Sequence, residues 1–145
     1  MKGSLILKVA VITAFTIVTS SVNAKNGHDD DNRTRLECRS DAATEDASIR
    51  VRYEQRDDRQ KFSFELEAAP GGSYVAGDIL HVFVDNELVD SMTLVDLGDI
   101  VGEIEFDSTA QADDSDQPFP ANFPTVGSGS IVEAEAQLAC DLQAR

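Results

Sequence analysis

Four aspartates sit close enough in sequence to hold a hard cation together: Asp107, Asp113, Asp114 and Asp116. Calcium draws about six to eight oxygens from carboxylates and backbone carbonyls, and a flexible acidic loop can supply them. The spacing is not that of an EF-hand, because no glycine stands at the sixth position and no terminal Glu follows where one is needed. Calcium is therefore the one cofactor the residue types point to, and a solvated acidic loop is the competing reading. The two histidines offer less. His28, in Gly27-His28-Asp29-Asp30-Asp31, falls one place too late to bind copper with a terminal amine at Lys25, and reads as part of a polar tail. His81 lies in an apolar run with Ile79 and Phe83 on its face, and reads as a half-buried sheet residue.

The chain has two cysteines, Cys38 and Cys140. Two cysteines allow one intramolecular pairing. Zinc would ask for about four ligands, and no Cys-x-x-Cys redox pair is present. A structural disulfide is the expectation. It closes a loop of about 100 residues, which the chain-entropy picture values at ~4–5 kcal/mol.

Nucleophilic chemistry finds no footing. There is no Gly-x-Ser-x-Gly elbow, phosphate loop or metalloprotease helix, and neither histidine stands near an obvious nucleophile. A pair of carboxylates could serve a glycosidase, so a small secreted hydrolase stays as the contrasting class to a protein that is not an enzyme. Pro118-Phe119-Pro120-Ala121-Asn122-Phe123-Pro124 is a stiffened loop presenting two rings. Phe119 and Phe123 either cover an open end of the fold or form an exposed patch for a partner.

The first 24 residues read as an address. Lys2 and Lys8 give a positive start, Val9–Val18 is apolar and threonine-rich, and Val22-Asn23-Ala24 fits signal peptidase. A membrane anchor needs ~20 apolar residues, and the uncharged stretch is too short and too polar, so no membrane insertion is expected after cleavage. The chain then divides into residues 1–24 as signal peptide, 25–33 as a flexible acidic tail and 34–145 as one domain. A secreted or periplasmic location follows, and that compartment favours the disulfide.

What positions these groups is a chain of period two almost throughout. Ile49, Val51 and Tyr53 alternate with Arg50, Arg52 and Glu54; Phe62, Phe64 and Leu66 alternate with Lys61, Ser63, Glu65 and Glu67. A turn at Asp58-Arg59 would pair Val51 with Leu66 and Tyr53 with Phe64, and would set Arg50 on Glu67 and Arg52 on Glu65 across the other face. Asp85-Asn86 is a second turn. Seven strands are expected, at Thr34–Arg39, Ser48–Arg56, Gln60–Glu67, Ile79–Val84, Glu87–Val95, Gly102–Asp107 and Ile131–Cys140. They imply an all-β fold: a single antiparallel β-sandwich, immunoglobulin-like in outline but without that fold's central Trp, its first and last strands tied by Cys38 and Cys140.

Charge is unevenly spread. The whole chain carries 27 acidic and 12 basic side chains, a net −15. Without the first 24 residues two lysines are lost and the net becomes −17. From Phe62 onward the only base is Arg145. Nucleic acid and anionic membrane are disfavoured as partners by such a field; a protein or a cation is the open possibility.

Between Ser48 and Ile131, Tyr53-Glu54-Gln55-Arg56, Arg59-Gln60-Lys61-Phe62, Pro70-Gly71 with Tyr74, Val82-Phe83-Val84-Asp85 and Glu103-Ile104-Glu105-Phe106-Asp107 resemble segments of small exported bacterial β-sandwich proteins, and of chordin-type repeat domains in particular. The resemblance implies a secreted β-sandwich. That family carries a His-Ile-His element where this chain has His81 alone, so no metal role comes with it. The expectation is an exported, acidic, non-catalytic binding or structural module, with a calcium-binding extracellular domain as the alternative.

Overall fold

The computed structural model describes residues 32–42, 46–111, 115–135 and 138–145. The proposed signal segment and nearly all of the acidic tail lie outside them. The strands are β1 (Arg33–Ala42), β2 (Ala47–Arg56), β3 (Arg59–Ala68), β4 (Ile79–Val84), β5 (Glu87–Thr93), β6 (Val95–Asp96), β7 (Ile100–Asp107), β8 (Ile131–Ala134), β9 (Leu138–Asp141) and β10 (Gln143–Ala144). They form a six-stranded sheet in the order β10-β1-β2-β3-β7-β6 and a four-stranded sheet in the order β5-β4-β8-β9, with every strand pairing antiparallel. The protein is an all-β sandwich. Among the described residues no helix is long and apolar enough to cross a membrane.

The inward sides of the two sheets make one core. Leu36, Ile49, Val51, Phe62, Phe64 and Leu66 from the large sheet are buried against Leu80, Val82, Val84, Val132, Ala134 and Leu138 from the small one. These are the alternate positions of each strand, as a half-buried sheet requires.

The β2–β3 register differs from expectation by one two-residue step. Ile49 faces Leu66, Val51 faces Phe64 and Tyr53 faces Phe62, because the turn is Asp57-Asp58 between Arg56 and Arg59. Asp57 takes the left-handed φ of 47°, which Asp tolerates better than a long side chain does. Both registers keep the same faces buried, so hydrophobic pattern alone does not separate them; turn chemistry does. The expected Arg50–Glu67 rung is replaced by Arg50 opposite Glu65, while Arg52 reaches Glu65 diagonally at 3.6 Å. The Asp85-Asn86 turn is as expected: both residues have positive φ, 50° and 68°, the requirement of a tight hairpin turn that matches strand twist.

Two expected single strands are not continuous. Ile131–Cys140 is a hairpin, with Val132 opposite Cys140 and Ala134 opposite Leu138. Glu135 turns the chain at φ 51°, and the reversal keeps Val132, Ala134, Leu138 and Cys140 on one face, which is why period two ran on through it. Glu87–Val95 is broken at Leu94, where the chain leaves the small sheet and enters the large one as β6. Leu142 does the same between β9 and β10. Both leucines are buried, and their amides are satisfied by the Asp78 and Ser130 carbonyls at 2.9 Å. Each corner thus anchors a strand that switches sheets.

Cys38 on β1 and Cys140 on β9 form the disulfide, Cα–Cα 5.8 Å apart and 102 residues apart in sequence. It joins the large sheet to the small one along the side where β1 meets β9.

Candidate functional site

Asp107 ends β7 and is 3% exposed. β3 is its neighbour in the sheet, with Lys61 directly opposite and Arg59 two residues earlier on the same outward face. Both carboxylate oxygens are occupied. Oδ2 accepts from Arg59 Nη2 at 2.6 Å and lies 3.0 Å from Lys61 Nζ. Oδ1 accepts from Arg59 Nε at 3.3 Å, the Thr109 amide at 2.9 Å and the Thr109 hydroxyl at 2.8 Å. The Arg59 guanidinium first, then the Thr109 amide and Lys61, hold this carboxyl well below the usual carboxylate range, against the opposing effect of burial.

Lys61 also reaches Asp116 Oδ2 at 3.1 Å. That contact lowers the Asp116 proton affinity. Beside it Glu105 is shifted the other way, by burial first, then by Glu103 and a hydrogen bond shared with Asp116. Backbone bonds pin the same loop: the Asp107 amide donates to Gln117 O at 2.9 Å and the Gln117 amide to Glu105 O at 3.0 Å. The cluster is a latch that clips the chain at Asp116 and Gln117 onto the end of β7.

Of the four aspartates considered for calcium, Asp107 and Asp116 are brought together, but by Lys61 between them. A cationic side chain there supplies the neutralisation that a metal would otherwise supply. Asp113 and Asp114 lie outside the described residues. Among the described residues no group of three or more His, Cys, Asp or Glu side chains is placed to hold a metal ion.

The proline loop continues the latch with an aromatic lid. Phe119 and Phe123 meet edge to face at 4.8 Å between centroids. Phe123 packs on Phe62 at 5.3 Å and on Phe106 at 5.7 Å, and Phe119 on Phe106 at 5.6 Å. Both rings are half-buried against the core. They cover an end of the sandwich and are not presented as an open patch.

His81 is exposed, on the outward face of β4, contrary to the half-buried position expected of it; the apolar residues flanking it, Ile79 and Phe83, face outward too. Its Nδ1 is 2.6 Å from Ser91 Oγ, its cross-strand neighbour. The nearby Glu135 carboxylate accepts from the His81 backbone amide at 3.1 Å. A Ser-His pair on an open sheet face, with its carboxylate engaged on the backbone, lacks the oriented third group that nucleophilic catalysis uses.

The small sheet's outer face is the surface that sequence reading passed over. Leu88, Phe83 and Ile131 run across β5, β4 and β8; Leu88 is 48% exposed, Ile131 43% and nearby Ile79 61%. Acids surround them: Asp85, Glu87, Asp90, Glu133, Glu135 and Asp141. No lysine or arginine belongs to this sheet or its described turns. The signal was present as the base-free stretch after Lys61, but only the sheet assignment shows that it covers one whole face.

No protein-family model, curated protein or solved structure significantly matches this chain.

Proposed function

We propose that this is an exported, disulfide-closed, acidic β-sandwich that works as a non-catalytic binding module, with the outer face of its small sheet engaging a cationic, partly apolar partner. Export is supported by the charged and apolar character of residues 1–24 and by a disulfide suited to an oxidising compartment. The observation that carries the binding role is the partition of charge. Among the described residues every Lys and Arg lies on the outward side of β1, β2 or β3, except Arg145, which pairs with Glu37 of that same face at 2.9 Å. Those bases are largely engaged inside the chain: Arg33 with Glu54, Arg35 with Glu37, Arg59 and Lys61 with Asp107. Charge complementary to the small sheet must therefore come from another molecule.

The test is titration with a synthetic peptide of alternating lysine and leucine, and with its glutamate-for-lysine counterpart. Binding of the first alone is expected, weakened at least tenfold by Leu88→Ser with Ile131→Ser. Neutralising remote acids, Asp57→Asn with Asp58→Asn, should leave it nearly unchanged. Equal loss in both variants would reduce the interaction to bulk charge and overturn the reading. Robust turnover of generic esterase, phosphatase or glycosidase substrates would overturn its non-catalytic part. A mature N-terminus other than Lys25 in the exported protein would overturn the assigned cleavage point.

A further inference from the structure

The outward face of the large sheet is built in rungs across β1, β2, β3 and β7. One rung, Arg35, Glu54, Lys61, Asp107, alternates in sign. Another, Arg39, Arg50, Glu65, Glu103, does not: the two cations are direct neighbours and so are the two anions. Like charges directly opposite one another in a sheet destabilise it. Among the described residues neither Arg50 nor Glu103 has a salt-bridge partner, and Arg39 reaches only Asp41, at 3.7 Å between largely exposed side chains. Within one chain the rung is only partly relieved, by Arg52 at 3.6 Å from Glu65 and by Arg50 opposite that same Glu65.

We propose that this face docks a second copy of the chain about a two-fold axis parallel to the strands and lying between β2 and β3. That operation reverses the order of strands and keeps each rung at its own height. Arg39 and Arg50 of one copy then face Glu103 and Glu65 of the other. In the alternating rung Glu54 faces Lys61, while Asp107, 3% exposed and already bonded to Arg59 and Lys61, takes no part. The mixed-charge rung becomes complementary throughout, as an isologous interface requires. Two facings oppose the arrangement, Glu37 on Glu105 and Arg56 on Arg59, and they are outnumbered by Arg39 on Glu103, Arg50 on Glu65 and Glu54 on Lys61.

Net charge selects the same face. In a chain of net −15, the eight bases on β1–β3 are met by the outward acids Glu37, Asp41, Glu54, Glu65, Glu67, Glu103, Glu105 and Asp107. This is a near-neutral surface, where two copies can approach without the repulsion that the acidic small sheets would exert. The mixed-charge rung also lines a groove of about 450 Å³ with Val95 and Leu97 at its rim, and Leu97 is 79% exposed. The small-sheet face stays outward in such a dimer, so this inference stands or falls separately from the binding role.

The test is sedimentation equilibrium of the oxidised protein in low and high sodium chloride. One variant is Arg39→Glu with Arg50→Glu; the other is Glu65→Arg with Glu103→Arg; circular dichroism and melting confirm folding. If either fails to fold, Arg39→Gln with Arg50→Gln replaces it as a milder change. Dimerisation at low salt is expected, weakened at least tenfold by high salt and by each charge-reversed pair alone. An equimolar mixture of the two reversed variants should restore association as a heterodimer. A monomer at every concentration in low salt, or a dimer indifferent to these pairs, or no restoration on mixing, would overturn the proposal.

Discussion

Gly102 on β7 lies directly beneath the corner at Leu94: a Cβ at position 102 would stand 2.7 Å from Leu94 Cδ2 and 2.8 Å from Met92 Sδ. The two side chains belong to the segment that leaves the small sheet for the large one, so the absent side chain of Gly102 lets the sheets close along this side. Gly102→Ala should cost about 1–3 kcal/mol by overpacking a buried site, read as a lower midpoint in urea. Unchanged stability would mean the corner is free to move away.

Asp107→Asn should cost about 1–3 kcal/mol, since the amide keeps the Thr109 contacts but loses the charge that Arg59 and Lys61 share. The upper end is discounted because both cations are about half exposed. The pH dependence has a definite sign. The folded Asp107 carboxyl titrates below its unfolded value of ~3.9, so its contribution is complete above that value and is lost as pH falls through the lower folded one. Acid titration of Asp107→Asn should show a shallower loss below about pH 4 than the natural chain.

Glu105 behaves oppositely. Burial, Glu103 and Asp116 raise its folded proton affinity, so its ionised form costs stability at neutral pH and its protonated form does not. Glu105→Gln should stabilise at pH 7 by about 0.3–0.5 kcal/mol, a small value because the side chain is exposed. The gain should shrink as pH falls and be gone below the unfolded Glu value of ~4.3, where the side chain is protonated in both states; a gain constant across pH would assign it to packing.

Much of the fold is legible from alternation alone. The outward and inward sides of Ile49–Tyr53 and Phe62–Leu66 follow from period two, and the disulfide from there being two cysteines and no metal set; in Ile79–Val84 the apolar residues on both faces hide which side is exposed. What alternation cannot read is phase-preserving change. A two-residue register step at Asp57-Asp58 leaves Ile49, Val51 and Tyr53 facing inward, and a hairpin at Glu135 does the same for Val132, Ala134, Leu138 and Cys140. The engagement of Asp107 has no local sequence signal, because Arg59 and Lys61, 48 and 46 residues earlier, meet it only through β3–β7 pairing.

Calcium gives a direct check on that latch. Lys61 already neutralises Asp107 and Asp116, so melting temperatures in calcium chloride and sodium chloride at matched ionic strength should rise together through screening of the net −15. A calcium-specific rise that disappears in Asp114→Asn with Asp116→Asn would contradict this and establish a cation site.

The binding role itself is tested most directly by mapping. Amide shifts of the isotope-labelled protein, titrated with the lysine–leucine peptide, should change along β4, β5, β8 and β9 around Phe83, Leu88 and Ile131, and stay still on β1–β3. Shifts concentrated on the large sheet, or spread evenly over every acidic stretch, or no binding at all, would contradict the assignment of the small-sheet face as the binding surface.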